Sequence, residues 1–303
     1  MKKLLMLFSC LLMMSKVTGQ FYLPIEENHL LNCCNPTNTP IARYTTAQID
    51  GAYRYLLDTL KFEYRYIHGA CENRAHFMST ALQKKGIQTQ KIWCFAPARY
   101  TFLSKKQLFV KDPLQITDTV NWTYHVAPII ISDKNDTLVI DPSLLSTGPV
   151  PYKQWLNALN CPEAMYTFID SEWYLFNSFN GFKVYNNVND ANPRTLDIPA
   201  WFPNVMTGDF MNYSMGTQNI PNGLATNDIA MKIYVDEKTT LSKEDFQKIL
   251  GNINNVIAFI TNTTNNTIDQ SFKDKHAVLV KKYEAAFNER KKYWSEVYNR
   301  LSN

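Results

Sequence analysis

Beyond its first twenty residues, the sequence lacks an apolar run of the roughly 18 residues that a membrane-spanning helix requires. It also lacks a strong charge of either sign. Removal of a predicted signal peptide takes Lys2, Lys3 and Lys16 with it, so 28 basic residues (31 − 3) face 27 acidic ones and the net charge is +1 (28 − 27). The charge therefore gives no reason to expect a nucleic-acid partner or binding to acidic lipid.

Cysteine is scarce, and its spacing argues against a zinc site. The sequence has no C-x-x-C pair and no two histidines at ligand spacing. Loss of Cys10 with the signal peptide leaves five cysteines, which are Cys33, Cys34, Cys71, Cys94 and Cys161. In an oxidising compartment an odd number leaves one thiol unpaired, unless it bridges to another chain. We predict that Cys71 is the free thiol, and that the other four form up to two disulfides in a pairing that the sequence does not fix.

Residues 1–19 have the pattern of a secretory signal peptide. Two lysines precede an apolar stretch from Leu4 to Met14, and small residues lead up to a cut before Gln20. An alternative interpretation makes Cys10 the lipidated cysteine of a lipoprotein, but the apolar stretch continues past it. The sequence therefore predicts a soluble protein that is secreted or periplasmic.

The mature chain of about 280 residues is long for one compact unit. We predict three regions: residues 20–189 as an α+β domain, 190–240 as an irregular linker or layer, and 241–303 as a helical C-terminal region. The linker prediction rests on turn-rich segments such as YNNVNDANPR and MGTQNIPNG. In the last region, Leu241–Ile260 and Ser271–Leu301 have helical periodicity.

Within the first region, helices precede strands. Thr45 and Gln48 form a capping box ahead of one helix, and a second helix runs from Cys71 to a cap at Gly86. Strand patterns follow at KIWCFA, YHVAPIIIS and TLVID, with the turn residues DKND between the last two. This order predicts an α+β fold with helices packed on an antiparallel sheet.

Three residues in this region have the side-chain groups that acyl transfer requires, a thiol, an imidazole and a carboxylate. Cys71 opens the second helix, where free N–H groups lower a thiol pKa and stabilise an oxyanion. His125 and Asp141 lie on consecutive strands joined by a short turn, so a hairpin brings their side chains together. Each residue alone has an ordinary structural explanation, but their order and settings together predict a nucleophile, an acid/base and an orienting carboxylate.

Other candidates near the triad are weaker. His76 is turned away from Cys71 around the helix and is predicted to be structural, whereas His68 lies on the preceding loop and is a possible neighbour. Trp122 and Tyr124 flank His125 and are candidate substrate-binding residues that line an apolar cleft. Core packing explains these two aromatics about equally well.

Three blocks of the sequence, GACENRAHFMSTALQKKGI, NWTYHVAPIII and VIDPSLLSTGPV, resemble those of the bacterial protein-glutaminase family. The triad of that family falls on Cys71, His125 and Asp141. The resemblance implies a transglutaminase/papain-like core, with 20–189 as a catalytic domain that deamidates glutamine side chains to glutamate, releasing ammonia through a Cys71 thioester. It implies a protein or peptide substrate bearing glutamine, and neither a metal nor an organic cofactor.

The residues also leave other functions open. A transglutaminase would pass the same acyl group to an amine, a papain-like or cell-wall cysteine peptidase would cleave a backbone, and an exported binding module would keep only the scaffold. Secreted members of the resembled family carry a long pro-segment over the active site, yet Cys71 lies about fifty residues past the predicted signal cut. One hypothesis is that the segment after Asn186 covers the cleft instead.

Overall fold

The computed structural model describes residues 23–24, 42–100, 104–172, 174–177, 183–184, 194–195, 209–211 and 213–302. The predicted signal peptide 1–19, with Cys10, lies outside the described residues. So do Cys33, Cys34 and most of the turn-rich segment that begins at Asn186.

The described residues form strands and helices in alternation. The strands are β1 (Leu23–Pro24), β2 (Arg43–Tyr44), β3 (Gln90–Phe95), β4 (Leu108–Lys111), β5 (Thr119–Trp122), β6 (Tyr124–Ser132), β7 (Thr137–Val139), β8 (Val150–Pro151), β9 (Met165–Asp170), β10 (Leu175–Asn177), β11 (Lys183–Val184), β12 (Arg194–Thr195) and β13 (Asp209–Met211). The helices are α1 (Thr46–Arg54, continued by a π-helical turn Tyr55–Leu60), α2 (Cys71–Lys84), α3 (Pro97–Tyr100), α4 (Tyr152–Ala158), α5 (Tyr213–Glu237), α6 (Lys243–Leu250), α7 (Ile253–Ile260), α8 (Gln270–Lys275) and α9 (Ala277–Ser302). Within this described part, no helix combines the length and apolar character needed to cross a membrane.

The main sheet of the described residues has the strand order β1-β9-β3-β6-β7-β8, with β2 alongside β6. Strands β9, β3, β6, β7 and β8 pair antiparallel, while β1 and β2 are parallel additions. Every residue of β3 is buried, because helices and loops cover both faces of the sheet. The predicted α+β fold is confirmed, and the three predicted strands are β3, β6 and β7.

Local signals in the sequence explain the first two helices. Thr45 Oγ1 accepts from the backbone N–H of Gln48, and Gln48 Oε1 accepts from that of Thr45, so the predicted capping box is present. Helix α2 buries Met78 and Leu82 as its apolar stripe predicts. Gly86 follows its end with a φ of 75°, the left-handed conformation that glycine adopts without strain.

The C-terminal helices share one hydrophobic core with α1 and α2. On α5, Ile220, Leu224 and Ile229 are buried, and the Trp294 ring of α9 meets Phe77 of α2 edge to face at 5.3 Å. The prediction of an irregular linker or layer over 190–240 is therefore wrong for residues 213–237, which form α5. Burial of one apolar stripe outweighs the weak helix propensity of the Asn-, Gly- and Pro-containing sequence around Pro221.

The predicted helices 241–260 and 271–301 are each interrupted. The first becomes α6 and α7, because Asn252 is extended and its side chain accepts from Asn254 N at 2.8 Å, which starts a new helix. The second is divided at His276 into α8 and α9. A continuous apolar periodicity does not reveal such breaks, since the apolar residues keep their spacing across them.

The junction between α6 and α7 holds the segment that leads into Cys71. Tyr66 donates its hydroxyl to Leu250 O at 2.8 Å, and Ile253 donates its backbone N–H to His68 O at 3.1 Å. Gly69, two residues before Cys71, packs against Ile253. Deletion of the chain after about Asp190 would remove these buried partners, so we expect such a truncation to unfold the protein instead of exposing the cleft.

We predict that Gly69→Ala destabilises the protein by about 2–4 kcal/mol, measured as the free energy of unfolding in urea. Gly69 has a φ of 149°, and an added Cβ would lie 2.2 Å from Cγ2 and 2.7 Å from Cβ of Ile253. Gly148 is a matched control, because its φ is 142° but no atom of the described part of the chain lies within 4 Å of an added Cβ. Gly148→Ala should therefore cost only the backbone strain, and Ile253→Ala should partly rescue Gly69→Ala. Equal losses in the two glycine variants would contradict the packing argument.

Candidate active site

Cys71 is the first residue of α2 and is almost completely buried. The chain enters the helix through Ala70, which has a φ of 57° and contributes no side-chain cap. Arg74 holds this entry in place, since its guanidinium donates to Gly69 O at 2.8 Å and to Tyr66 O at 3.2 Å. The backbone N–H groups of the first helical turn have no acceptor within the helix, which leaves them free to bind an anion near the sulfur.

His125 and Asp141 form the predicted buried pair. His125 is the second residue of β6, and Asp141 lies just after the end of β7. The two strands pair through Ile129 and Val139. His125 Nε2 lies 2.8 Å from Asp141 Oδ2, and both side chains are buried. The hairpin therefore brings the ring and the carboxylate together as expected.

The carboxylate of Asp141 is held by donors that sequence reasoning missed. Oδ1 accepts from the backbone N–H of Ser143 at 3.2 Å and from its hydroxyl at 2.5 Å, while Oδ2 accepts from Trp155 Nε1 at 2.8 Å. The D-P-S turn is a recognisable signal for the Ser143 contacts. Nothing in the sequence around Trp155 indicates its contact, which depends on how α4 packs against the sheet.

These contacts lower the pKa of Asp141 to about 2, although burial by itself raises it. The charge of His125 and the hydrogen bonds from His125, Ser143 and Trp155 outweigh burial. The carboxylate is therefore ionised at neutral pH and acts as an acceptor. A neutral His125 ring that donates to this carboxylate from Nε2 has its lone pair on Nδ1.

We predict that ionised Asp141 stabilises the folded protein by about 2 kcal/mol and that acid removes this stabilisation. The reason is that the pKa of Asp141 falls from the ordinary value of 3.8 to about 2 in the folded protein. A depressed pKa means that the folded state binds the proton less readily than the unfolded state. The contribution is therefore complete above about pH 4 and is lost as the pH falls towards 2. Urea unfolding of the wild type and Asp141→Asn at several pH values measures it, and a stability difference that stays constant from pH 5 to pH 2 would contradict the prediction.

Two tryptophans fix the plane of the His125 ring. Trp122 stacks on it with a centroid distance of 4.8 Å and an interplanar angle of 15°, and Trp155 stacks at 5.5 Å and 19°. His125 Nδ1 has no hydrogen-bond partner among the described residues. Cys71, His125 and Asp141 line one narrow pocket, so His125 Nδ1 and the thiol belong to the same site.

The Cys71 thiol has a raised pKa, not the lowered one that the helix start predicts. Burial is the main cause, and the neighbouring Glu72 carboxylate adds to it. The thiol donates to Glu72 Oε2 at 3.4 Å. Cys71 is therefore a neutral thiol in this state, and a base must remove its proton before the sulfur can attack.

Trp122 and Tyr124, the two candidate substrate-binding residues, each stack on another aromatic ring. Trp122 stacks on His125 and donates Nε1 to Ile67 O at 3.0 Å, and Tyr124 stacks on Trp93 at 5.4 Å. Neither is part of the described lining of the pocket, so their substrate-binding role stays a prediction.

The two other histidines of this region are also buried. His68 is hydrogen-bonded to Asp112 at 3.0 Å, and His76 Nδ1 lies 2.7 Å from Lys91 Nζ. His68 Nδ1 also lies 3.2 Å from Gly251 O at the α6–α7 junction. His76 is fully buried, in agreement with the structural role predicted for it.

The disulfide prediction fails for the described cysteines. Cys94 and Cys161 are free and buried, as is Cys71. Both belong to the same apolar cluster on one face of the sheet, where a reduced thiol packs as a small apolar side chain. The described residues also contain no cluster of three or more histidine, cysteine or acidic side chains that could hold a metal ion.

Comparison with known proteins places this site in a family. The protein-family profile described as glutaminase matches residues 44–159. No curated protein matches the sequence. A crystal structure of protein-glutaminase is 18% identical over 65% of this chain and 91% of its own, with a TM-score of 0.40. The NMR structure of protein-glutaminase from Chryseobacterium proteolyticum is 22% identical over 48% of this chain and 82% of its own, with a TM-score of 0.37. A crystal structure of pro-protein-glutaminase is 20% identical over 66% of this chain and 61% of its own, with a TM-score of 0.40.

The profile match extends from the end of β2 through α4 and includes Cys71, His125, Asp141 and Trp155. The overall structural similarities are weak, so they do not assign a role to any residue of this chain. Residues 44–159 therefore match the glutaminase family, which confirms the family predicted from the three sequence blocks.

Proposed function

We propose that this protein is an exported hydrolase that converts glutamine side chains of proteins or peptides to glutamate and ammonia. One observation supports this most strongly: within the family-matched region, the Asp141-bound His125 has no partner for Nδ1 among the described residues, and it lines a pocket that the Cys71 thiol also lines. A thiol, an oriented neutral imidazole and a helix N-terminus are the groups that acyl transfer from an amide requires.

The first half of the reaction makes a thioester. His125 Nδ1 takes the thiol proton as the sulfur of Cys71 attacks the side-chain carbonyl carbon. The oxyanion that forms is stabilised by the free N–H groups at the start of α2. The C–N bond then breaks, His125 returns the proton to the nitrogen, and ammonia leaves.

The second half releases glutamate. His125 Nδ1 takes a proton from water, whose oxygen attacks the thioester carbon. The C–S bond breaks, and the proton returns to the sulfur to restore the Cys71 thiol. Asp141 keeps Nε2 protonated and stabilises the imidazolium in both halves.

Mass spectrometry of a glutamine-containing protein after incubation with the mature enzyme tests this proposal. Deamidation adds about one dalton per glutamine and releases one ammonia, since an NH₂ group is replaced by OH. A covalent link to an added amine would indicate a transglutaminase, and new termini would indicate a peptidase. No change in mass and no ammonia, with a range of glutamine proteins, would leave a binding module as the better explanation.

Export is part of the proposal and rests on the two lysines and apolar stretch before Gln20. The N-terminal sequence of the protein recovered outside the cytoplasm should begin at Gln20. A lipid-modified cysteine at the N-terminus would instead support the lipoprotein interpretation through Cys10.

A further inference from the structure

Glu72 places a negative charge beside the nucleophile, where the proposed reaction has no evident need for one. Its carboxylate is partly buried, and its described hydrogen-bond contact is the Cys71 thiol, which donates to Oε2 at 3.4 Å. No ion pair to Glu72 occurs among the described residues. The nearby cation, Arg74, instead donates to the carbonyls of Gly69 and Tyr66. The Glu72 carboxylate lies beside the Cys71 sulfur and can therefore accept further hydrogen bonds there.

The charge of Glu72 acts on several ionisable side chains near the start of α2. After burial, its charge is the largest contribution that raises the pKa of Cys71, of Tyr124 and of Tyr174. Tyr174 also accepts from Asn73 Nδ2 at 2.8 Å, which ties it to the first turn of α2. The thiol and the two phenols are therefore close enough to the Glu72 carboxylate to be affected by its charge.

Helix stabilisation alone does not account for this placement. An acidic residue in the first turn interacts favourably with the helix dipole, but that benefit is available to an exposed side chain, as Glu244 shows in α6. Glu72 is instead turned against the sulfur, where its charge makes the thiolate harder to form. Because Glu72 disfavours ionisation of the Cys71 thiol, its place beside the sulfur is better explained by a second role in the site.

We propose that Glu72 distinguishes amide from acid in this site: it accepts hydrogen bonds from the NH₂ group of the substrate carboxamide and repels the carboxylate of the product. This inference rests on the proposed glutamine deamidation and assigns its substrate selectivity to one residue. A carboxamide offers two N–H donors, whereas a carboxylate offers only acceptors and a like charge. When the thiol proton moves to His125, Oε2 loses its donor, and the NH₂ group of the substrate replaces it.

A pair of alkylating reagents tests the proposal without relying on turnover. Iodoacetamide carries a carboxamide and iodoacetate carries a carboxylate, which is also the difference between glutamine and glutamate. Both reagents react with the same thiolate. The ratio of their rates at Cys71 therefore cancels any change in the thiol pKa. Glu72→Gln removes the charge at constant shape, and we expect it to lower the iodoacetamide-to-iodoacetate ratio by about 10-fold or more. Peptide mass spectrometry is needed as the readout because Cys94 and Cys161 are also free.

Two variants control the measurement. Glu244→Gln removes an exposed acidic residue from the first turn of another helix and should leave the ratio unchanged. Glu72→Asp keeps the charge and should retain most of the selectivity. A ratio in Glu72→Gln equal to that of the wild type would overturn the proposal.

Turnover provides a second and separable measurement. In Glu72→Gln, kcat/KM for a glutamine peptide should fall by about 10-fold, the usual effect of losing a hydrogen bond to a charged group. The matching glutamate peptide should become a stronger competitive inhibitor. If the wild type releases no ammonia from any glutamine substrate, the proposed function fails. The alkylation ratio then still decides whether Glu72 separates amides from acids.

Discussion

Replacement of Cys71 by serine should reduce ammonia release to the background level, a loss of about 10⁴-fold or more. Burial and Glu72 already raise the pKa of the thiol, so proton transfer to His125 is unfavourable even from sulfur. An alcohol is far less acidic than a thiol, so the same imidazole cannot generate its alkoxide at a useful rate. Because serine is nearly isosteric with cysteine, the urea midpoint should change little. Ammonia release and mass analysis of a glutamine protein measure the effect.

Cys161→Ser is the matched control for that experiment. Cys161 is also a free, buried cysteine, but it lies in the loop after α4 and does not line the pocket of Cys71. This variant should retain most of the activity, because no step of the proposed reaction uses its sulfur. Activity of Cys71→Ser within about 10-fold of the wild type would contradict a thioester mechanism.

The parts of the site that could be predicted from the sequence are those set by local geometry. The meeting of His125 and Asp141 follows from two consecutive strands with a short turn, because a hairpin leaves little freedom in how its ends approach. The position of Cys71 at a helix start follows from the apolar stripe of α2 and from Gly86. The shared pocket of Cys71 and His125 required the family resemblance as well, since 54 residues separate them (125 − 71).

The parts that could not be predicted depend on long-range packing. Trp155 reaches Asp141 only because α4 lies against the sheet, and no periodicity marks a single N–H donor on a helix. Helix α5 has a turn-rich sequence, so its apolar stripe becomes recognisable only with α2 and α9 in place. The raised pKa of Cys71 depends on its burial, which the helix-start argument does not include.

A buried neutral thiol has a consequence for how the site works. Ionisation of Cys71 before substrate binding would place a second negative charge beside Glu72 in a buried site, which is unfavourable. In the proposed reaction, proton transfer to His125 is therefore best coupled to formation of the S–C bond, which moves the charge to the carbonyl oxygen. The oxyanion is then close to the free N–H groups of α2. A neutral buried thiol is also less readily oxidised than an exposed thiolate.

Asp141→Asn should lower kcat by about 10³- to 10⁴-fold and reduce stability by roughly 2–3 kcal/mol. Both carboxylate oxygens accept hydrogen bonds, from Ser143 N at 3.2 Å and from Trp155 Nε1 at 2.8 Å, so an amide NH₂ meets a buried donor in either orientation. With the NH₂ group towards His125, the ring must shift its proton to Nδ1 and can no longer accept one from Cys71. With the oxygen towards His125, the negative charge that stabilises the imidazolium is still lost.

The buried pair His68–Asp112 separates this catalytic effect from a general loss of stability. Its Nε2–Oδ2 distance is 3.0 Å, and Asp112 also accepts from the backbone N–H groups of Leu114 and Thr117 at 2.9 Å each. Asp112→Asn should therefore cost a similar free energy of unfolding but retain most of the kcat, because the His68 pair does not line the pocket of Cys71. Equal losses of kcat in the two variants at matched stability would show that Asp141 acts only through the fold. A kcat of Asp141→Asn within about 10-fold of the wild type would remove it from the proposed mechanism, since a carboxylate that orients a catalytic histidine contributes far more than that.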